Sequence, residues 1–509
     1  MSRTDTAMNP RDKPAEFRGA VGRNAKWSLL QTVISALTVF ALYKYLYGAL
    51  GPEQLGLWAV VLASVSLGRL AEMGFSTTIL RYVSMHLAKG DSVRAARILE
   101  TGLISIGIPF ALVLMALYPA ADEAMRFVVP ASNLVTARAI LPYALGTLWF
   151  GVVGAIAQSA LDGCGRMDVK SRILIVGNLV YVPAAVLMVQ RWGITGLALC
   201  QLLQSTLVAL LVWIAARREL PALKWAPLGW DKSCFHEILG YAAGLQIGNM
   251  LLMFFEPATK ILLSRYCGLH EVAHFEMANQ VVSRVRALIT SAIQAYLPVL
   301  SSSAGDTKAA CQVVGDAMIF TTGIGLPVMA AMVISYPVIS TLWIGYVQAE
   351  FIAYGWILGV GWLVATLAMP VYFYCVGTGR VSTVLLSQVI TVGVHGLLGW
   401  GAAMLGLGHW VAISMMVALA VGNLVIVRQA LMGLQVTSQQ IRHSSAARSV
   451  MKTVVLTLLV LVSSIGLSIG TPLGSYLVAN FVVHTLALLL IAYLSDARGI
   501  LAARYRRAQ

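Results

Sequence analysis

Charged residues are scarce in this chain of 509 residues, and acidic residues are the scarcest. Asp, Glu, Lys and Arg make up 11% of the sequence, whereas 59% is hydrophobic. Soluble domains usually have about 25% and about 45–50%, respectively. So little charge excludes a soluble globular protein and leaves no room for a soluble catalytic domain. The composition indicates an all-α polytopic membrane protein.

Paired cysteines and nucleotide-binding loops are missing as well. Six cysteines are scattered through the chain without paired spacing, which excludes a disulfide framework and a zinc site built on cysteines: Cys164, Cys200, Cys234, Cys267, Cys311 and Cys375. No P-loop pattern occurs, so direct use of ATP is not expected. We therefore expect no cofactor, no bound metal and no enzymatic activity.

Apolar windows of about 20 residues, the length needed to cross a bilayer, recur along the whole sequence. The first window follows 26 polar and basic residues and is too long for a cleaved signal sequence, so we expect it to stay in the membrane. The pattern predicts fourteen spans: 27–47, 56–76, 98–118, 137–161, 171–190, 194–215, 239–263, 275–297, 313–335, 351–376, 381–404, 409–431, 452–470 and 474–495.

The formal net charge of +15 is distributed unevenly between the predicted loops. Loops and tails on one side of the membrane, together with Arg172, Arg428 and Lys452 at the adjoining edges of spans, carry 27 Lys and Arg residues, and the loops on the other side carry 3. This asymmetry predicts that both termini lie in the cytoplasm. The basic balance therefore reflects membrane topology and does not indicate a nucleic-acid partner.

The sequence repeats itself with an offset of about 217 residues. At that offset Gly51 aligns with Gly268 and Arg69 with Arg286, and nearby offsets align GIPFALVLMALYP with GLPVMAAMVISYP and GCGR with GTGR. Six spans per repeat return the chain to the same side, which predicts two parallel, pseudo-symmetric six-helix lobes followed by two C-terminal helices. The predicted segments are a basic tail 1–26, an N-lobe 27–217, a linker 218–237, a C-lobe 238–431, a basic linker 432–451, spans 13–14 in 452–495 and a basic tail 496–509.

Cations outnumber acids inside the predicted spans. A cation near a helix centre costs about 2.5–3.5 kcal/mol, so these side chains should face a wet interior or a partner. We expect Arg69 and Arg286, which occupy equivalent positions, to approach one cavity between the lobes. Guanidinium groups bind phosphate in bidentate geometry. The predicted anion-binding cavity is formed by Arg69, Arg284 and Arg286, with Lys44 and Lys260 nearer the outer ends of their spans and with Arg23, Lys26 and Arg81 at the cytoplasmic mouth. Arg138 also lies near the outer end of its span, where a long side chain can reach the membrane surface.

Internal neutralisation is an open alternative for some of these cations. Glu72 lies one helical turn from Arg69, and Glu256 lies four residues before Lys260. Both spacings place opposite charges on one helix face. Arg284 and Arg286 have no acidic neighbour in the middle of their predicted span, and Glu276 lies near its start.

Several segments resemble one family. The segments LGPEQLGLWA, GFSTTILRYVS followed by AKGD, and the G-x-G-R loop at 163–166 resemble the polysaccharide transporter family, the O-antigen flippases of the MATE-like (multidrug/oligosaccharidyl-lipid/polysaccharide exporter) superfamily. The resemblance covers spans 1 to 12. It implies two six-helix lobes that carry a polyprenyl-diphosphate-linked oligosaccharide across the bacterial inner membrane by alternating access.

The resemblance also implies partners and site residues. The expected partners are the lipid-linked oligosaccharide, membrane lipids and a polysaccharide polymerase or export machinery. Cavity cations would hold the diphosphate, a role that suits Arg69, Arg284 and Arg286. Relatives often carry Asp where this chain has Thr259. Glu256 and Glu72 are therefore the candidates for ion coupling.

Two other functions remain as alternatives. A MATE-like drug or cation antiporter would need acidic residues in its N-lobe cavity, whereas the N-lobe spans here are net basic. The HEVAH sequence at 270–274 matches the H-E-x-x-H zinc motif, and LDG occurs at 161–163. In intramembrane zinc proteases LDG follows the zinc helix, whereas here it precedes HEVAH, so this alternative is remote.

Overall fold

A computed structural model describes the chain in eight segments separated by short gaps: residues 13–66, 75–225, 229–238, 254–294, 307–378, 380–433, 445–470 and 475–495. These segments are almost entirely helical. In chain order the helices are α1 Lys13–Ser66, α2 Phe75–Ala88, α3 Ser92–Val128, α4 Leu134–Gly163, α5 Met167–Glu219, α6 Phe255–Tyr266, α7 Leu269–Gln294, α8 Thr307–Phe320, α9 Leu326–Trp343, α10 Ala349–Gly377, α11 Val381–Met404, α12 Gly408–Gly433, α13 Ser445–Gly470 and α14 Ser475–Leu494.

Helices α1 and α5 are each long enough for two membrane crossings. They contain 54 and 53 residues, and at 1.5 Å per residue each would extend about 80 Å if straight, against a hydrocarbon core of about 30 Å. Each is bent at a glycine with positive φ, Gly51 at 78° and Gly193 at 57°. Glycine occupies this region without the strain that a Cβ would cause. Two predicted pairs of spans, 1–2 and 5–6, are thus joined by bends rather than by loops.

The internal repeat is visible in the local backbone. Gly51 and its repeat partner Gly268 both have positive φ, at 78° and 105°. The GCGR and GTGR loops close in the same way, because Arg166 N–H donates to Leu161 O at 2.9 Å and Arg380 N–H donates to Cys375 O at 2.8 Å. A bond of this six-residue span ends a helix in the Schellman manner. The repeated sequence therefore specifies repeated turns.

The predicted all-α polytopic membrane fold is confirmed. Within the described residues, nine helical stretches are long and apolar enough to cross a membrane, and two of them are the bent double-length helices. Large apolar side chains such as Leu112 and Met115 of α3 are exposed, at 60% and 71%. Such exposure is unfavourable in water and neutral in lipid. Span 9 is formed by α8 and α9, which are joined by the π-helical turn Thr321–Gly325.

Two compact units make up the chain. The first contains Met1–Leu50, Val61–Phe127 and Ala131–Asn249, and the second contains Gly51–Val60, Val128–Pro130 and Met250–Gln509. The predicted lobes, 27–217 and 238–431, stay predictions. In the first unit, α1 is tied to α5 by the Tyr45 hydroxyl, which donates to the carbonyl oxygen of Val186 at 3.1 Å.

Close helix packing in the second unit depends on a small residue beside a large one. Tyr336 of α9 is fully buried, and its hydroxyl donates to the carbonyl oxygen of Ala278 on α7 at 2.8 Å. The Tyr336 ring lies against the backbone of Gly355 on α10, where a Cβ would overlap the ring. Small residues at helix interfaces let helices approach closely without a hydrophobic driving force between them.

Candidate functional site

A buried ion cluster lies in the second unit, between α6 and α7. The ammonium of Lys260 lies 2.7 Å from Glu256 Oε1 and 2.6 Å from Glu276 Oε2. The side chains of Lys260 and Glu276 are nearly inaccessible, at 9% and 6%, whereas that of Glu256 is 42% exposed. The amide of Gln280 donates to Glu276 Oε1 at 2.6 Å. Two carboxylates thus surround one ammonium, and the cluster as a whole is negative.

The predicted cavity cation Lys260 is therefore engaged from two sides. One of its carboxylate partners, Glu256, lies at the helical spacing that the sequence suggested, and the other, Glu276, comes from the next helix. Both carboxylates compete with any anion for the ammonium of Lys260. The role of Lys260 in anion binding stays a prediction, as does the role of Glu256 in ion coupling.

Arg286 of α7 stacks on an aromatic ring. Its guanidinium carbon lies 3.8 Å from the ring centroid of Trp362 on α10, and the side chain is half-buried. The carboxylate of Glu256 interacts electrostatically with the guanidinium of Arg286. Arg284, two residues earlier, is also half-buried. Positions two apart on an α-helix differ by about 200° in direction, so the two arginines lie on different faces of α7.

Three more of the predicted cations belong to the first unit and have exposed side chains. Lys26 and Lys44 belong to α1, and Arg81 belongs to α2, where its guanidinium carbon lies 6.0 Å from the Tyr82 ring. Arg69 and Glu72 lie outside the described residues. The prediction that Arg69 and Arg286 approach one cavity therefore stays a prediction.

Arg23 belongs to an arginine cluster at the start of α5. Its Nε lies 3.5 Å from the buried carboxylate of Asp168, which Arg166 and Arg172 also approach, at 3.3 and 3.4 Å. Arg166 additionally pairs with Glu219. The Arg of the G-x-G-R motif thus joins both ends of α5. Sequence analysis used this motif as a family signature and did not identify Asp168 as its partner.

The same loop is fastened to α1 by an asparagine. Asn24 Nδ2 donates to the carbonyl oxygen of Gly165 at 2.9 Å, and its Oδ1 accepts from the backbone N–H of Asp168 at 3.2 Å. Gly165 has a φ of 71°, which favours glycine. The positive φ explains why glycine occupies the third position of the G-x-G-R motif. Arg23 therefore belongs to the cluster of arginines around Asp168, and it stays a candidate for the cavity mouth.

His395 was missed by sequence analysis. This buried imidazole on α11 lies between two hydroxyls, with Nε2 2.9 Å from Thr259 Oγ1 and Nδ1 3.0 Å from Ser414 Oγ. Thr259 is the position at which the family resemblance implies Asp in relatives. A lone histidine in an apolar span has no motif, and its partners lie 136 and 19 residues away. No sequence signal could have identified the set.

The HEVAH segment occupies the start of α7. Glu271, the residue that would act as general base in a zinc protease, accepts a hydrogen bond from the Tyr354 hydroxyl at 2.5 Å. The rings of His270 and His274 are 4.3 Å apart and nearly perpendicular. Across the described segments, no group of three His, Cys, Asp or Glu side chains is placed to hold a metal ion. The motif fits an ordinary buried helix start.

Solved structures place the fold among helical membrane transporters. The chain resembles a lipid II flippase, MurJ, in an inward closed conformation, with a TM-score of 0.69, 12% identity and coverage of 95% of this chain and 99% of that one. It resembles an inward-facing multidrug resistance MATE family transporter of the MOP superfamily, with a TM-score of 0.66, 16% identity and coverage of 84% and 100%. A MOP superfamily transporter from Pyrococcus furiosus has a TM-score of 0.54, with 17% identity and coverage of 82% and 95%.

Fold and composition together define a multi-pass membrane protein whose fold resembles that of these transporters. The chain belongs to the family described as polysaccharide biosynthesis protein, whose sequence profile matches residues 21–304, more than half of its length. No curated protein matches the sequence.

Proposed function

We propose that the protein is a transporter that flips a polyprenyl-diphosphate-linked oligosaccharide across the bacterial inner membrane, for the synthesis of cell-surface polysaccharide. Transport proceeds by alternating access, with both termini in the cytoplasm. Family membership supports the link to polysaccharide synthesis. The likeness to the lipid II flippase MurJ supports a lipid-linked cargo. A polysaccharide polymerase and export machinery are the partners expected to receive the glycan.

Arg286 is the observation that carries this proposal. A guanidinium stacked on an indole contacts the ring through its face, so its edge N–H groups still point outward. Those N–H groups are arranged as a fork that matches two oxygens of a phosphate. Within the described residues, Arg286 makes no ion pair at salt-bridge distance. The ring of Trp362 therefore holds a cation in place while leaving its donors available to a diphosphate.

The other cations have supporting roles in this proposal. Arg284 lies on another face of α7 and would contact the substrate from a different direction. Lys260 would mainly balance the two carboxylates that contact it. Arg69 is the expected counterpart of Arg286 in the other repeat. Glu256 is exposed enough to exchange a proton or a cation during transport.

The test is flipping of a fluorescent polyprenyl-diphosphate oligosaccharide by the full chain in liposomes. Arg286→Ala removes the bidentate donor, worth about 1.5–3 kcal/mol for a charged hydrogen bond, so we expect transport to fall by at least about tenfold. Trp362→Leu removes only the stacking, at about 0.5–2 kcal/mol, and should have a smaller effect. Arg126→Ala is the matched control, because Arg126 is an exposed arginine paired with Glu123 at 2.8 Å.

The outcomes separate the competing functions. Normal flipping by the Arg284→Ala, Arg286→Ala double variant, at normal protein abundance, would show that the two arginines do not bind the diphosphate. Export of a cationic drug that is unaffected by a lipid-linked glycan would instead support an antiporter. In cells, loss of the protein should leave a lipid-linked glycan in the inner leaflet.

A further inference from the structure

His395 lies where three helices of the second unit meet. The ring belongs to α11 and is 3% exposed, and its two nitrogens contact hydroxyls of α6 and α12. The ring of Phe255, also on α6, packs edge-on at 4.9 Å between centroids. Both polar atoms of a deeply buried imidazole thus have a partner, and each partner comes from a different helix.

The two hydroxyls have backbone acceptors of their own. Thr259 Oγ1 lies 2.9 Å from the carbonyl oxygen of Phe255, and Ser414 Oγ lies 2.7 Å from that of Val411. Each hydroxyl has one hydrogen to donate and lone pairs to accept with. If both hydroxyls donate to these carbonyls, both ring nitrogens must donate to the hydroxyls. Only a protonated imidazole can do so.

A neutral ring fits the same site after one small rotation. In the neutral form one nitrogen has a lone pair, and the hydroxyl beside it must turn its hydrogen from the backbone carbonyl toward the ring. The site thus provides hydrogen bonds for both forms of His395. Bonds to the charged form are about twice as strong, which offsets part of the cost of burying the charge.

The space around this set is closely fitted. Gly399 lies one turn after His395, and a Cβ there would lie 2.9 Å from both His395 Cε1 and Ser414 Oγ. Contacts shorter than 3.0 Å at a Cβ essentially never occur, so a Cβ here would displace the His395 ring or the Ser414 hydroxyl. The imidazole and its two hydroxyls form a built polar site inside an apolar bundle.

We propose that His395 is a proton-binding site whose occupancy sets the hydrogen bonds that join α6, α11 and α12. A proton from water adds to the lone pair of the neutral ring, and the hydroxyl that donated to this nitrogen turns its hydrogen to its helix carbonyl. The charged ring then donates two hydrogen bonds, whereas the neutral ring donated one and accepted one. This site is independent of the cargo and of the arginines assigned to the diphosphate.

The neighbouring charged groups are engaged elsewhere. On α6, Glu256 and Lys260 flank Thr259 and bond to each other. On α12, the ring of His409 packs against that of Tyr354 of α10 at 4.8 Å. In the part of the chain that the structure describes, the polar contacts of the His395 ring are those with Thr259 and Ser414. The proton is therefore stabilised by hydroxyls, without a carboxylate.

The test is 15N NMR of the full chain in liposomes, labelled at its eight histidines. The chemical shifts distinguish neutral imidazole from imidazolium. His395→Gln identifies the signal by its loss, and Gly399→Ala identifies it by displacement should the first variant fail to fold. We expect the His395 signal to convert between the two forms between about pH 2 and about pH 8. A signal that keeps one protonation state throughout this range would refute the proposal.

Two serine variants separate proton binding from general packing. Ser414→Ala removes a ring partner and should lower the midpoint of the His395 titration by about one pH unit, a tenfold loss of proton affinity. Ser387→Ala is the control, because Ser387 Oγ donates to Gly422 O at 2.8 Å across the same α11–α12 interface without contacting the ring. Equal shifts in both variants would assign the effect to helix packing and overturn the proposal.

Discussion

The ammonium of Lys260 lies 2.6 Å from a carboxylate oxygen of Glu276, on the neighbouring helix of the same unit. Both side chains are almost completely buried. A buried pair costs desolvation energy that its own attraction roughly balances, but removing one partner leaves a charge uncompensated. Lys260 therefore matters for the fold whether or not it also contacts a substrate.

Replacement of Lys260 by Met should destabilise the protein strongly. Two carboxylates would lose their common cation, and removal of one partner of a buried pair costs about 3–5 kcal/mol. The measurement is the thermal unfolding midpoint of the detergent-solubilised chain. Arg126→Ala is the comparison, because the Arg126–Glu123 pair is exposed at 55% and 52% and should contribute only about 0–1 kcal/mol. Similar midpoints for the two variants would contradict the prediction.

Addition of one methyl group at Gly355 should also lower stability. Gly355→Ala places a Cβ against the ring of Tyr336, which is fully buried and hydrogen-bonded to Ala278 O, so helices α9 and α10 must separate. Overpacking of this kind costs about 1–3 kcal/mol. Gly396→Ala is the control, since nothing lies within 4 Å of the added Cβ on α11. An unchanged midpoint for Gly355→Ala would show that this interface is loosely packed.

The ionised carboxylate of Asp231 should stabilise the backbone conformation of the linker segment 229–238 at neutral pH. Its carboxylate accepts hydrogen bonds from the hydroxyl and the N–H of Ser233 and from the N–H of Cys234, which lower its pKa from 3.8 to about 2. A lowered pKa means that the ionised form stabilises the fold. This contribution is fully present above about pH 4 and disappears as the pH falls through about 2.

The Asp231 prediction is checked by amide hydrogen exchange. Asp231→Ala should speed exchange at Ser233 and Cys234, because their N–H groups lose the carboxylate that accepts their hydrogen bonds. The difference from the unchanged protein should be the same at pH 7 and pH 5, after correction for intrinsic rates. A difference that shrinks over this interval would mean that Asp231 titrates in its ordinary range.

The sequence predicted the helices well and the side-chain contacts poorly. All fourteen predicted spans coincide with helical residues where the structure describes them, because apolar length is a local property. The internal repeat that aligned Gly51 with Gly268 is also reflected in the structure, where both glycines have positive φ. The bends within α1 and α5 were harder to predict. In sequence, two helical arms that meet at Gly193 without a loop look like two helices with a short connection.

The side-chain contacts that the sequence did not predict join residues far apart in the chain. The partnership of Lys260 with Glu256 was foreseeable at a spacing of four residues, but that with Glu276 depends on how α6 meets α7. Arg286 was identified by its unpaired charge, whereas nothing in the sequence connected it with Trp362. A buried polar group is specified by tertiary packing, which a single sequence does not reveal.

The bend at Gly193 also has a consequence for biogenesis. No loop separates the two arms of α5, because only Gly193 departs from helical geometry between them. We therefore expect the two arms to enter the membrane together as a hairpin, and we expect a strongly polar insertion beside Gly193 to impair membrane integration of both.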